Sequence, residues 1–285
     1  MPVATWARAA PAARFNASTI SGLKLWFDAS NPGSAFADGD RVGTWNDVSA
    51  SAAHATQGTA GNKPYYYAHR RLYIPSVGGW AGVADSAANS IGGNLTAIAY
   101  GVLPDTNWNA DPAADYTIFG KWGSAAGQRS WKMKLTSTSR LIEMAWSTDG
   151  TNAFQAISRD YSTVVATGVR SDFAIEVEPN NAGAWAVRIY HRTTGSGNAW
   201  ALFGLGAATG TGASAAIFDG TSRVLVGSLD TTNETNGNPF VGSLDGVALY
   251  SGLQVSGVST TPVIDADFAI ANPASTDTTT TFIDK

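Results

Sequence analysis

Gly22–Tyr67, GLKLWFDASNPGSAFADGDRVGTWNDVSASAAHATQGTAGNKPYYY, is the stretch that decides the fold. Leu23, Leu25 and Phe27 alternate with Lys24, Trp26 and Asp28. Successive side chains of a strand point to opposite faces, so this pattern predicts a strand with one face in a core. A loop rich in Asn, Pro, Gly and Asp follows. Arg41–Asp47 then returns as a second short extended segment that ends in Trp45-Asn46-Asp47.

Outward from this stretch the same period recurs. Arg71–Ile74 and Gly92–Val102 read as strands. In the latter, Leu95, Ala97 and Ala99 alternate with Thr96, Ile98 and Tyr100; a strand apolar on both sides belongs in the middle of a packed sandwich. Residues 104–115 read as a long loop. Ile118–Trp122 leads to a glycine turn. In the next strand Trp131, Met133 and Leu135 face one way and Lys132 and Lys134 the other. Leu141–Trp146 closes at Ser147-Thr148-Asp149-Gly150, and Asp-Gly readily supplies the positive φ of a tight turn. Asp172–Pro179 and Trp185–Arg192 make the next pair. Arg223–Gly227 and Phe240–Tyr250 close the domain. No repeat of solenoid or propeller period is present.

The opening stretch resembles the laminin-G-like, concanavalin A-type jelly rolls of bacteriophage virion proteins, which begin LxLWxDAS…DGxxVxxWxDxSGxxxHATQ…xPxY. The residues that carry the likeness are Leu23, Leu25, Trp26, Asp28, Ala29, Ser30, Asp38, Gly39, Val42, Trp45, Asn46, Asp47, Ser49, His54, Ala55, Thr56, Gln57, Pro64 and Tyr65. Ala50 departs from the usual Gly. Tyr116–Gly150, with its KW…RSW hairpin and STDG turn, and NPFVGSLDGVALYSG near the end are similar to later blocks of that family; Gly246 stands where an acid is common. The likeness covers about residues 22–252. It implies an all-β, two-sheet antiparallel jelly-roll sandwich.

Composition excludes several classes of function. With no cysteine among 285 residues there is no disulfide, thiol nucleophile or thiolate metal site, which suits synthesis in a reducing cytoplasm. Charged residues are 14% and the net charge is -4, so neither nucleic acid nor an anionic membrane is an expected partner. No apolar run reaches bilayer length, and residues 1–20 lack an apolar signal-peptide core.

Few motifs carry chemistry. Glu176 and Glu178 share a strand face about 7 Å apart, near the separation glycoside hydrolysis needs. Arg188 and Arg192 share a face of the next strand, however, and an exposed carboxylate face balanced by arginines is the expected reading. His54, His69 and His191 fall in no metal-binding or triad spacing. Gly210-Thr211-Gly212-Ala213-Ser214-Ala215 matches a dinucleotide fingerprint in letters but has no βαβ unit around it. The resemblance raises Ca²⁺ as the one cofactor to look for, with Asp38, Asp40 and Asp47 as its ligands and Asp230 and Glu234 in loops of similar character. Trp26, Trp45, Trp122, Trp131 and Trp146 fall where this fold fills its core. Trp80, Trp108 and Trp200 fall in loop-like segments, where an indole can stack on a sugar or anchor an interface.

The expected organisation is an N-terminal arm at 1–20, a jelly-roll domain at 21–253 and a C-terminal extension at 254–285. The arms are expected to be held against the domain or a neighbouring subunit, with Trp6, Phe15, Phe268 and Phe282 as their anchors. The resemblance implies a non-enzymatic protein of the virion surface: a capsid decoration, head-fibre or tail accessory protein. Its partners would be a major capsid or tail protein, further copies of itself and host-surface glycans. A free carbohydrate-binding lectin module and a glycoside hydrolase of the same fold are the alternatives.

Overall fold

The computed structural model describes residues 21–255 apart from 30–34, 68–70, 76–78, 107, 111, 113, 138, 152–154, 182–183, 195–198, 204–207, 212–215 and 230–238. The arm residues Trp6, Phe15, Phe268 and Phe282, together with His69, Asp230 and Glu234, lie outside the described residues.

The chain is all-β. In order the strands are β1 (Leu23–Asp28), β2 (Thr44–Trp45), β3 (Ala55–Thr56), β4 (Tyr65–Tyr67), β5 (Arg71–Ile74), β6 (Ala81–Val83), β7 (Leu95–Pro104), β8 (Tyr116–Trp122) and β9 (Arg129–Leu135). There follow β10 (Leu141–Trp146), β11 (Gln155–Asp160), β12 (Ser171–Asn181), β13 (Ala184–Thr193), β14 (Ala201–Leu202), β15 (Ala208–Thr211), β16 (Val224–Val226), β17 (Gly242–Leu244) and β18 (Gly246–Ser251).

Two antiparallel sheets form a sandwich. β7 is the pivot of the ten-stranded sheet. One edge of β7 pairs with β12, which pairs with β13; β14 and β15 lie on the far edge of β13. Along its other edge β7 meets β18, which leads to β1, and then β17, which leads to β5 and β4. The eight-stranded sheet runs β11-β10-β9-β8-β16-β6-β3-β2.

Between them the apolar alternates of each strand meet in one core. Leu25 and Phe27, Leu95, Ala97 and Ala99, Phe173, Ile175 and Val177 come from one sheet. Phe119, Trp131, Met133, Ile142, Met144 and Trp146 come from the other. The rings of Trp146 and Trp185 meet edge-on at 5.6 Å, joining β10 to β13, and Phe119 meets Trp131 at 5.0 Å. Such pairs add about 0.5–1.5 kcal/mol beyond the burial itself.

A second cluster covers the outer face of the ten-stranded sheet: Trp26, Ile98, Tyr100, Ala174, Tyr190, Ala248 and Tyr250. This is why β7 is apolar on both faces.

Four expectations are corrected. Trp26 belongs to the outer cluster rather than the sandwich core, and Trp122 lies beneath cationic side chains, outside the core cluster. Leu23 packs with the outer cluster because the β1–β18 register shifts between Leu23 and Leu25, which turns it to the other face. Phe240–Tyr250 splits at Asp245 into two strands with different partners. The Asp149-Gly150 turn does use a glycine at φ +76°, but it sits in an eight-residue connection (147–154) to β11, a strand the sequence pattern did not signal.

Candidate functional site

Tyr65 and Tyr67 lie two apart on β4, so they share a face, and Tyr73 is the register partner of Tyr65 on β5. The three rings gather with centroids 6.3 Å (Tyr65–Tyr67), 6.5 Å (Tyr65–Tyr73) and 5.7 Å (Tyr67–Tyr73) apart, and all three side chains are half-buried. Their strand-mates Tyr66, Leu72 and Ile74 point inward to the core. The Arg41 guanidinium lies 4.0 Å above the Tyr65 ring and donates to the Tyr65 hydroxyl and to the carbonyl oxygens of Gly61 (2.9 Å) and Lys63 (3.2 Å). The Tyr73 hydroxyl donates to Asp105 at 2.7 Å. The patch therefore combines aromatic faces with a guanidinium and a carboxylate at the margin of a sheet. Sugars are recognised by such a set, through C–H contact with ring faces and hydrogen bonds from hydroxyls to the charged rim. Within the sequence the only signal of this patch is the period-2 spacing of Tyr65 and Tyr67.

Of the three tryptophans placed in loop-like segments, two are buried. Trp80 is 4% exposed: it packs beside Gly82 and is capped by the Arg223 guanidinium at 4.6 Å. Trp108 is 1% exposed and sits edge-on to Tyr161 at 5.0 Å and near Phe173 at 6.0 Å, while its Nε1 donates to the Val169 carbonyl at 3.0 Å. The segment after β7 turns inward and makes Trp108 a core residue. Trp200 is half-buried, with the Arg192 guanidinium 4.4 Å over its ring. Neither Trp80 nor Trp108 offers a free indole face.

Asp38, Asp40 and Asp47 do not converge, and among the described residues no group of three or more His, Asp or Glu side chains is placed to hold a metal. Asp38 and Asp40 are exposed, and Asp40 accepts from the Ala37 N–H at 2.7 Å as a turn residue. Asp47 is buried. Its carboxylate accepts from the backbone N–H groups of Trp26 (2.8 Å), Ser49 (2.9 Å) and Ala53 (3.0 Å) and from the hydroxyls of Ser49 (2.8 Å) and Ser51 (2.5 Å). A carboxylate offers about four lone-pair sites, and these donors occupy them. The side chain that the resemblance suggested for Ca²⁺ instead stitches residues 47–53 to β1, and the donor set does not fit a cation. His54, on the same loop, is exposed and accepts from the Asp47 N–H at 3.2 Å.

Of the two glutamates, Glu178 pairs with Arg188 at 2.5 Å, as the cross-strand reading expects, whereas Arg192 pairs with the buried Asp172 at 2.8 Å rather than with a glutamate. Glu176 corrects that reading, since it is fully buried rather than exposed. One of its oxygens accepts from the backbone N–H groups of Gln254 (2.8 Å) and Val255 (2.6 Å), and the other lies 3.4 Å from the Tyr190 hydroxyl. Both carboxylates are thus engaged in holding structure. His191 lies between Phe173 and Phe203; burial lowers its pKa, with the Asp172 charge opposing. Lys121, 1% exposed, is held between Asp85 (2.6 Å) and Asp219 (2.5 Å). Burial would raise the Asp219 pKa, but hydrogen bonds from Lys121 and Ser90 outweigh it and lower it.

No protein-family model and no curated protein matches the chain. Among solved structures, a GH54 α-L-arabinofuranosidase soaked with a cyclic sulfate inhibitor is similar with a TM-score of 0.52 at 14% identity, over 91% of this chain and 61% of that one. The binding domain of Paraclostridial Mosquitocidal Protein 1 gives a TM-score of 0.48 at 12% identity, over 87% of this chain and 51% of its own. The CBM40 of a Ruminococcus gnavus IT-sialidase, bound to α2,3-sialyllactose, gives 0.40 at 14% identity, over 71% of this chain and 96% of its own. The chain thus spans about half of the mosquitocidal structure and under two thirds of the arabinofuranosidase. At these identities the likeness is one of fold: a β-sandwich.

Proposed function

We propose that this chain is a non-enzymatic glycan-recognition module that holds saccharide on the Tyr65–Tyr67–Tyr73 face and serves as a structural protein at the surface of a bacteriophage particle. The observation that carries the glycan reading is the tyrosine patch itself. It sets three half-buried rings between the Arg41 guanidinium and the Asp105 carboxylate, on rigid paired strands. Engagement of Glu176 by backbone N–H groups and of Glu178 by Arg188 supports a binding rather than a hydrolytic role. The particle setting is supported by the resemblance of residues 22–67 to phage jelly rolls.

The test is a glycan array with the intact chain, followed by calorimetry on Tyr65→Ala and Tyr67→Ala. Each substitution is expected to weaken binding about tenfold, as for removal of a stacked aromatic anchor. An inert protein across a broad panel, or unchanged affinity in both variants, sinks the glycan reading. Mass spectrometry of purified particles without this chain sinks the virion reading and leaves a free lectin module.

A further inference from the structure

Lys132 stands on the outer face of the eight-stranded sheet, across from Gly120 of β8 and Ala145 of β10. Its ammonium lies 4.6 Å over the Trp122 ring, and the Arg129 guanidinium carbon is 5.8 Å from the same ring. Two cations therefore share one indole. The acids nearby belong to another residue: Lys134 binds Asp115 at 2.5 Å and Glu143 at 3.1 Å. Arg129 donates only to neutral carbonyl oxygens, those of Thr151 and, at 3.4 Å, Ser124. Among the described residues Lys132 has no ion-pair or hydrogen-bond partner. Arg129, Lys132 and Lys134 against Asp115 and Glu143 leave one positive charge over, on a chain whose net charge is -4. A half-buried, unneutralised ammonium destabilises the fold it sits in, and such groups cluster at functional sites.

The same face carries a second cation–indole pair. Gly82, Leu225, Gly120 and Lys132 form one row across β6, β16, β8 and β9, and Arg223 lies over Trp80 at the β6–β16 end of it. From β16 to β9 is two strand spacings, about 10 Å. That is the reach of an extended saccharide rather than a lone ion.

We propose that Lys132 and Arg129, backed by Trp122, bind the carboxylate or sulfate group of an acidic polysaccharide lying across the outer face of the eight-stranded sheet. This site is separate from the tyrosine patch, so each stands or falls alone. Anion binding requires the ammonium form. The charged groups that face it are Arg129 and Lys134 on its own strand, Glu143 on β10 and Asp115 before β8. Burial and the Lys134 charge lower the Lys132 pKa to about 8, opposed by Glu143 and Asp115. Affinity should therefore hold below pH 8 and fall as pH rises through it, with proton uptake on binding near pH 8.

Calorimetry on the intact chain with oligogalacturonate, dextran sulfate, neutral dextran and sodium sulfate tests this. The expected result is binding of one of the two acidic polymers and not of neutral dextran. It should weaken about tenfold or more in Lys132→Gln and in Arg129→Gln, the loss of one charge-assisted contact. Lys132→Arg should retain it, and Tyr65→Ala should leave it unchanged. Should Lys132→Gln fail to fold, the pH dependence of the wild-type affinity decides instead. Unchanged affinity in Lys132→Gln, affinity flat through pH 8–9.5, or sodium sulfate binding as tightly as the polymer overturns the proposal.

Discussion

The carboxylate of Glu176 and the backbone N–H of Val255 are joined by a 2.6 Å hydrogen bond between residues 79 positions apart. Thr96 reinforces the junction: its hydroxyl donates to the Gly252 carbonyl at 2.7 Å and lies 3.2 Å from the Gln254 nitrogen. The chain leaving β18 is thereby fixed over the outer face of the ten-stranded sheet, beside Tyr190 and Tyr250. A residue whose spacing from Glu178 suits a glycosidase acid is used as a clamp on the backbone.

Glu176→Gln removes the negative charge behind both N–H bonds and leaves a neutral amide oxygen as their acceptor. The expected loss is about 1–3 kcal/mol, the range for a buried charge-assisted hydrogen bond. Hydrogen exchange should show the Gln254 and Val255 amides losing protection before the core strands do. Unaltered protection at these two amides would mean that the clamp does not hold the segment.

Asp47→Asn tests the loop frame. Three backbone N–H groups and two hydroxyls converge on this carboxylate, and an amide leaves part of that set facing another donor. Urea unfolding should show a loss of about 2–4 kcal/mol, whereas Asp38→Asn on the exposed turn should stay within about 0.5 kcal/mol. Added Ca²⁺ should shift neither midpoint; stabilisation of wild type but not of Asp47→Asn would restore the calcium reading.

Gly101 has φ +59°, and a Cβ placed there would strike the Arg170 guanidinium and the Asp245 carboxylate, which form an ion pair with one another. Its N–H donates to the buried Asp172 at 2.8 Å. Gly101→Ala should lower the unfolding free energy by about 2 kcal/mol or more, combining left-handed backbone strain with displacement of a buried pair. A thermal melt unchanged from wild type would show that the backbone at Gly101 relaxes freely.

What could be read in the sequence was whatever depends on strand period alone. The alternation in β1 and β9 places Phe27, Trp131 and Met133 correctly, and the shared face of Arg188 and Arg192 anticipates the pairing of Arg188 with Glu178, though Arg192 turns to Asp172 rather than to a glutamate. What could not be read depends on distant chain. Nothing in PDTNWNADPAAD signals that Trp108 will meet Tyr161 and Phe173, and strand period sends Glu176 outward, where only the return of residues 254–255 buries it. Leu23 was misplaced for a local reason: one bulge reverses a face. The tyrosine patch lay within the quoted opening stretch, yet its third ring, Tyr73, joins only through β4–β5 pairing.

Lys132 gives the sharpest prediction for stability. Its pKa falls from the ordinary lysine value of 10.5 to about 8 in the folded protein, chiefly through burial. Between these values the unfolded chain holds a proton that the folded chain has shed, so stability rises with pH across that window; below pH 8 the full penalty applies. Lys134 is shifted the other way by Asp115 and Glu143, which outweigh its burial, so its contribution is lost only above 10.5 and does not blur the window. Lys132→Met removes the charge while keeping the stem. It should stabilise the protein at pH 7 by about 1–3 kcal/mol and abolish the part of the rise between pH 8 and 10 that belongs to this residue. Urea unfolding at pH 7, 8, 9 and 10 for both proteins gives the difference directly. A Lys132→Met variant less stable than wild type at pH 7 would show that the ammonium is compensated within the fold, and the case for an external anion would go with it.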